Sequence, residues 1–101
     1  MPLELVYQMH GRWVTFPLDR DEVTIGRDAQ NDLVIEHRSI SRIHAKLVRR
    51  GGSWRVLDQG SRYGTTINDI GHTEVDLRNG DKIFLHRFPL TFVQVTPASA
   101  V

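Results

Sequence analysis

Apolar and polar residues alternate one for one along much of this chain, and no stretch repeats apolar positions at the spacing of a capped helix. Leu3, Leu5, Tyr7 and Met9 alternate with Glu4, Val6, Gln8 and His10, the period of a half-buried strand. His10-Gly11 interrupts that run and Trp13-Val14-Thr15-Phe16 resumes it, which predicts a hairpin. After the charged connection Pro17 to Asp21, Glu22-Val23-Thr24-Ile25 is short and rich in β-branched residues, and it stops at Gly26. Asp28 to Asp32 favours turns, because Asn and Asp side chains bond their own backbone; Leu33-Val34-Ile35 then forms a brief strand. The loop Glu36 to Ser41 leads to a strand over Ala45 to Arg49, and Gly51-Gly52 predicts a tight hairpin into Trp54-Arg55-Val56-Leu57. Turn chemistry returns at Asp58-Gln59-Gly60-Ser61, at Gly64 and at Asn79-Gly80. Thr65-Thr66-Ile67, Glu74 to Leu77, Lys82 to Leu85 and Leu90 to Val95 supply the remaining strands. Pro97 to Ala100 reads as a frayed end or linker, which sets a domain over residues 1–96 and a tail over 97–101.

About ten short strands divided by Gly, Asn and Asp turns predict an all-β fold, an antiparallel β-sandwich with its loops gathered at the ends. At 101 residues the chain holds one core and not two. No apolar run approaches the roughly 20 residues of a membrane span, so no membrane insertion is expected. Met1-Pro2-Leu3-Glu4 lacks the basic-then-apolar order of a signal peptide, and a cytoplasmic setting is expected. The absence of cysteine excludes a disulfide framework and a thiolate metal site. A formal net charge of +1 argues against nucleic-acid binding through a general positive field. Yet only Lys46 and Lys82 of the 13 basic residues are lysines. The arginines carry a planar fork of donors suited to oxyanions.

Candidate chemistry concentrates in Ser39-Ile40-Ser41-Arg42-Ile43-His44, two hydroxyls, a guanidinium and an imidazole directly ahead of a strand. Gly26-Arg27 and Ser61 to Asn68 repeat the pattern of strand end followed by polar turn. The three loops are expected to meet and bind one anion. A dianionic phosphate would take one hydrogen bond from the Ser41 hydroxyl and two from the Arg42 guanidinium, with Arg27 as the second cation. Ser41, His44 and Asp58 make a nominal triad, but the Gly-x-Ser-x-Gly turn of a nucleophilic serine is absent, and no catalytic residue is expected. His37, His44, His72 and His86 lack the spacing of metal ligands, and no calcium-loop spacing surrounds Asn68-Asp69 or Gly80-Asp81. Neither a metal nor a cofactor is expected.

The order Ile25-Gly26-Arg27, Ser41-Arg42-Ile43-His44-Ala45, Asp58-x-x-Ser61-x-x-Gly64-Thr65-x-x-Asn68 and Leu77-x-x-Gly80-Asp81 resembles the forkhead-associated (FHA) domain family. The resemblance spans roughly Leu3 to Val95, and its specificity lies in four weak pieces standing in order. It implies a sandwich of about eleven strands whose loops at one end bind phosphothreonine peptides, in keeping with where sandwiches place function. By the family pattern, Arg27 and Ser41 meet the phosphate or the adjacent peptide, and Arg42 makes a further phosphate or backbone contact. Arg62, Tyr63 and Thr65 belong to the same binding surface, while Asn68 holds the loops or bonds the peptide main chain. Gly26, His44 and Gly64 are architectural, and Ser39 and Ile40 lie on the loop that sets flanking preference. Family members commonly read Ser-x-Asn-Gly-Thr where this chain has Ser61-Arg62-Tyr63-Gly64-Thr65, so a tyrosine stands in place of a peptide-gripping amide. The usual Asn-Gly is Asn68-Asp69, and Arg62 is positioned to compensate.

The function so implied is phosphothreonine-dependent recognition by a monomeric, non-catalytic signalling module. Its partner would be a protein or peptide phosphorylated by a Ser/Thr kinase. The alternative is a phosphate-independent interaction or dimerisation module on the same fold, suggested by Tyr63, Asp69 and the exposed apolar candidates Ile40 and Phe88.

Overall fold

The computed structural model describes residues 3–68 and 76–94. Among these, nine strands run in chain order: β1 (Leu3–Met9), β2 (Arg12–Pro17), β3 (Glu22–Gly26), β4 (Leu33–Val34), β5 (Ala45–Arg50), β6 (Ser53–Asp58), β7 (Thr65–Ile67), β8 (Lys82–Leu85) and β9 (Phe88–Gln94). They form a five-stranded sheet ordered β2-β1-β9-β8-β7 and a four-stranded sheet ordered β4-β3-β5-β6. Alternation dictates which side of each strand faces the core. Leu5 and Tyr7, Ile83 and Leu85, Leu90 and Phe92 point inward from the first sheet. Val23 and Ile25, Leu47, Trp54 and Val56 meet them from the second.

The hairpins follow from their central residues. Gly51 and Gly52 take φ of 59° and 82°, the paired left-handed turn whose twist matches that of the flanking strands, and Arg50 pairs with Ser53 across it. His10 and Gly11 repeat this between β1 and β2. The β8–β9 connection is tighter in chemistry, with His86 at φ 59° where glycine is the ordinary choice.

Two departures from the pattern-based reading are informative. β4 runs parallel to β3, with Ile25 opposite Leu33, so the smaller sheet is mixed. The turn over Asp28 to Asn31, closed by Asn31 N donating to Asp28 O at 3.1 Å, brings the chain back to the level of Ile25 before it resumes its direction. Ile40, read as exposed, is 1% exposed and part of the core, and Phe88 is half-buried against the same cluster. The loop before β5 folds over one end of the sandwich and covers it with this aliphatic side chain. The strand expected over Glu74 to Leu77 is described only from Asp76, which bridges to Arg55. Asp69, His72, Val95 and Pro97 to Ala100 lie outside the described residues.

Ile40→Ala should therefore cost about 2–5 kcal/mol of stability by urea unfolding, the range for a buried aliphatic truncation. An unchanged midpoint would return Ile40 to the surface.

Candidate functional site

The loops that follow β3, precede β5 and join β6 to β7 lie at one end of the sandwich, with the β8–β9 turn beside them. What brings the first two together is a missing side chain. A β-carbon on Gly26 would stand 2.1 Å from the Arg42 carbonyl oxygen and 2.7 Å from Asn31 Nδ2, well inside contact distance. Glycine here admits a neighbouring backbone. Across this contact Arg27 N donates to Ser41 O at 3.0 Å and Asp28 N donates to Arg42 O at 3.1 Å. Asn31 Nδ2 adds bonds to Arg42 O at 2.7 Å and Asp28 O at 2.8 Å. Arg27 Nε donates to Ile40 O at 3.0 Å, which fixes the guanidinium by one edge.

His44 ties the second loop to the third. It is completely buried, accepting from Ser41 N at its Nδ1 (3.1 Å) and facing Gly64 O with its Nε2 at 2.9 Å. Acceptance at Nδ1 places the ring proton on Nε2, which donates to the carbonyl. The backbone of Gln59 donates to His44 O at 3.0 Å, and His86 N donates to Gly64 O at 3.0 Å. Arg62 N donates to Ser41 Oγ at 2.9 Å. With a lone pair so engaged, the Ser41 hydroxyl has its proton to offer elsewhere.

The third loop is built around one carboxylate. Asp58 Oδ2 accepts from Gly60 N at 3.0 Å and Ser61 N at 3.1 Å. Its Oδ1 accepts from Ser61 Oγ at 2.5 Å and Thr65 Oγ1 at 2.7 Å. Ser61 Oγ in turn accepts from Gly64 N at 2.9 Å. Burial pushes the Asp58 carboxyl up, but the bonds from Ser61, Thr65 and Gly60 outweigh it and hold the group below its ordinary 3.8.

Arg27, Ser41, Arg42 and Arg62 are thus brought to one cluster by main-chain contacts. Tyr63 lies beside them, 49% exposed, stacked on His86 with centroids 4.5 Å apart, and the Arg62 guanidinium stands 5.3 Å from its ring centre. Ser39 Oγ meets His37 Nδ1 at 2.7 Å. Thr65 is buried with its hydroxyl committed to Asp58. Asn68 sits away from the cluster, at the start of β8, where its Oδ1 accepts from Lys82 N and its Nδ2 donates to Asp81, both at 3.0 Å. The nominal triad has no geometry, because His44 meets the Ser41 backbone while Asp58 holds the third loop. Asn31 escaped the pattern-based reading. Nothing in an Asn-Asp turn marks one amide as a buried clamp.

The FHA domain family model matches residues 23–86. This chain belongs to the FHA domain family. An oxoglutarate dehydrogenase inhibitor of Corynebacterium diphtheriae is 35% identical over 79 residues, covering 78% of this chain and 55% of that protein. The glycogen accumulation regulator GarA of Mycolicibacterium smegmatis is 33% identical over 78 residues, 77% of this chain and 49% of that protein. The chain therefore spans about half the length of these relatives. Mycobacterium tuberculosis EmbR, solved with a low-affinity phosphopeptide, superposes with a TM-score of 0.80 at 29% identity, over 91% of this chain and 24% of its own. The FHA family is one of non-catalytic recognition modules.

In this FHA domain Gly26→Ala forces a backbone apart, so a loss of about 3 kcal/mol, the upper range for overpacking, is expected in thermal or urea unfolding. Wild-type stability in that variant would mean the loops are not clamped here. Asp58→Asn should cost about 1.5–3 kcal/mol, since bonds to a charged acceptor are lost. Because the folded Asp58 carboxyl lies below 3.8, its contribution is whole above that pH and fades as pH falls through the folded value. Stability curves of wild type and variant should therefore converge only under acid conditions; a constant gap down to the acid transition would refute the role.

Proposed function

We propose that this FHA domain is a phosphothreonine-dependent recognition module that acts by binding and not by catalysis. The observation that carries the reading is the clamped cluster of Arg27, Ser41, Arg42 and Arg62, in which main-chain bonds hold the loops and leave side-chain donors without an acceptor among the described residues. Arg27 spends its Nε on Ile40 O, and its two terminal amino groups make no hydrogen bond among the described residues. The Arg42 guanidinium likewise bonds nothing described, and the Ser41 hydroxyl retains its proton. Donors held ready by the fold suit a phosphate dianion, which offers several acceptor oxygens and gains from charge-assisted bonds.

Tyr63 replaces the amide that commonly grips the peptide backbone in the family. Its stacking on His86 makes a flat surface beside the cluster. A peptide would lie across a ring there and take at most one bond from the phenol. The names of the relatives, an inhibitor and a regulator, support a regulatory role exerted through binding. Action as a monomer in the cytoplasm belongs to the same proposal.

Fluorescence polarisation with a degenerate phosphothreonine library, its phosphoserine counterpart and the unphosphorylated peptides tests this directly. Phosphothreonine should bind best, by a modest factor over phosphoserine, since one buried methyl is worth about 0.8 kcal/mol. Arg27→Ala and Ser41→Ala should each lose about 1.5–3 kcal/mol, roughly ten- to more than a hundredfold in Kd. Equal binding of unphosphorylated peptide would instead favour the phosphate-independent module.

A further inference from the structure

The two sheets end in four edge strands, β2 and β7 in one and β4 and β6 in the other. Three of these are poor templates for a further strand. β4 has two residues and β7 has three. β6 is bridged by the segment before β8, where Asp76 pairs with Arg55 and Leu77 N donates to Trp54 O at 2.7 Å. β2 differs. It has six residues, pairs with β1 on one side, and has no backbone partner on the other side among the described residues.

The pairing with β1 fixes which groups face outward. Leu18 N donates to Leu3 O at 2.8 Å, one residue past the Glu4–Pro17 pair. Antiparallel ladders alternate bonded and non-bonded pairs, so Phe16, Val14 and Arg12 commit their main chain to β1. Trp13 and Thr15 therefore turn both N–H and C=O outward, and Pro17 turns a carbonyl alone. The same residues carry their side chains on the solvent face, where Trp13 is 71% exposed and Thr15 is also exposed. Half-buried Val6 lies opposite Thr15 on that face and diagonal to Trp13, which gives the free edge an apolar border. Between Trp13 and Phe16 there is no charge, proline or bulge of the kind that blunts an edge.

We infer that the free edge of β2 is a strand-addition site for an extended segment of a partner protein, separate from the loop cluster. The inference does not depend on the phosphothreonine reading. The geometry states the chemistry of the segment. Its main chain pairs with Trp13 and Thr15, so proline is excluded opposite both. Side chains opposite Trp13 and Thr15 share their solvent face and meet the indole, which suits aromatic and β-branched residues. Arg12, exposed and without an ion pair among the described residues, stands at one end and favours a carboxylate opposite it. A second copy of the chain fits less well, because β2 carries no carboxylate and its Pro17 brings no donor to the ladder.

The test selects a displayed library of short, random, unphosphorylated peptides against the full chain. Enriched sequences are titrated as labelled peptides, by fluorescence polarisation, against wild type, Trp13→Ser, Thr15→Pro and Arg27→Ala. Thr15→Pro removes an outward N–H at a position where an edge strand admits proline, and Trp13→Ser alters an exposed side chain, so both should keep the wild-type urea midpoint. The expected peptides alternate β-branched or aromatic residues and carry an acidic residue at one end. Each β2 variant should weaken them by about tenfold or more, while Arg27→Ala binds them as wild type does. Binding should also shift tryptophan emission to the blue, since Trp13 is exposed and Trp54 is 2% exposed. A selection that yields no such peptides, or peptides that bind both β2 variants as tightly as wild type, would overturn the inference. Loss of binding in Arg27→Ala would move the peptides to the loop cluster and overturn it as well. A wild-type dimer in light scattering that Thr15→Pro dissolves would replace the partner segment by a second copy.

Discussion

A carbonyl oxygen stands 2.1 Å from where any other residue at position 26 would carry its β-carbon. That close approach of the Arg42 backbone to Gly26 is the constraint on which the loop end depends. It sets the second loop against the end of β3, lets two amides of the first loop bond to it, and closes the open end of the sandwich with Ile40. Once the second loop is fixed, His44 is buried with one nitrogen on each side of the gap, and the third loop has a single place to go. The order of dependence runs from packing to polar bonds to exposed side chains.

The polar groups at this end are satisfied in a particular way. Asn31, His44 and Asp58 find partners within the loops, as unpaired burial would cost more than a made bond returns, while His86 Nδ1 is buried with none among the described residues. Asp58 illustrates the rule, with both oxygens occupied and its ionised form favoured despite burial. The Asp58 carboxylate is therefore turned into the third loop.

Much of the fold was legible because period-two alternation and paired turn residues act locally. Leu3 to Met9, Gly51-Gly52 and Lys82 to Leu85 each announce their state without reference to the rest of the chain. The parallel run of β4 was not legible, since two residues carry too little pattern to show direction. Ile40 was misjudged for a related reason: a lone apolar residue among polar ones has no periodicity, and only the closure of the loop decides whether it is covered. At the site, the motif spacing pointed to Gly26, Arg27, Ser41 and His44, whereas the buried clamp made by Asn31 depends on a contact eleven residues away that no local rule encodes. Thr65 and Asn68 shared the motif with the arginines, yet their polar atoms serve β8 and the third loop.

The Arg62 amide on Ser41 Oγ has a consequence for evolution as well as for binding. Because Arg62 joins the loops through its peptide N–H, which every residue except proline supplies, its side chain is released from holding the loops in place. Ligand preference can drift by exchanging guanidinium for other chemistry while the loop geometry persists. A scaffold of this kind separates inheritance of shape from inheritance of specificity, and related chains can then keep one architecture while reading different partners.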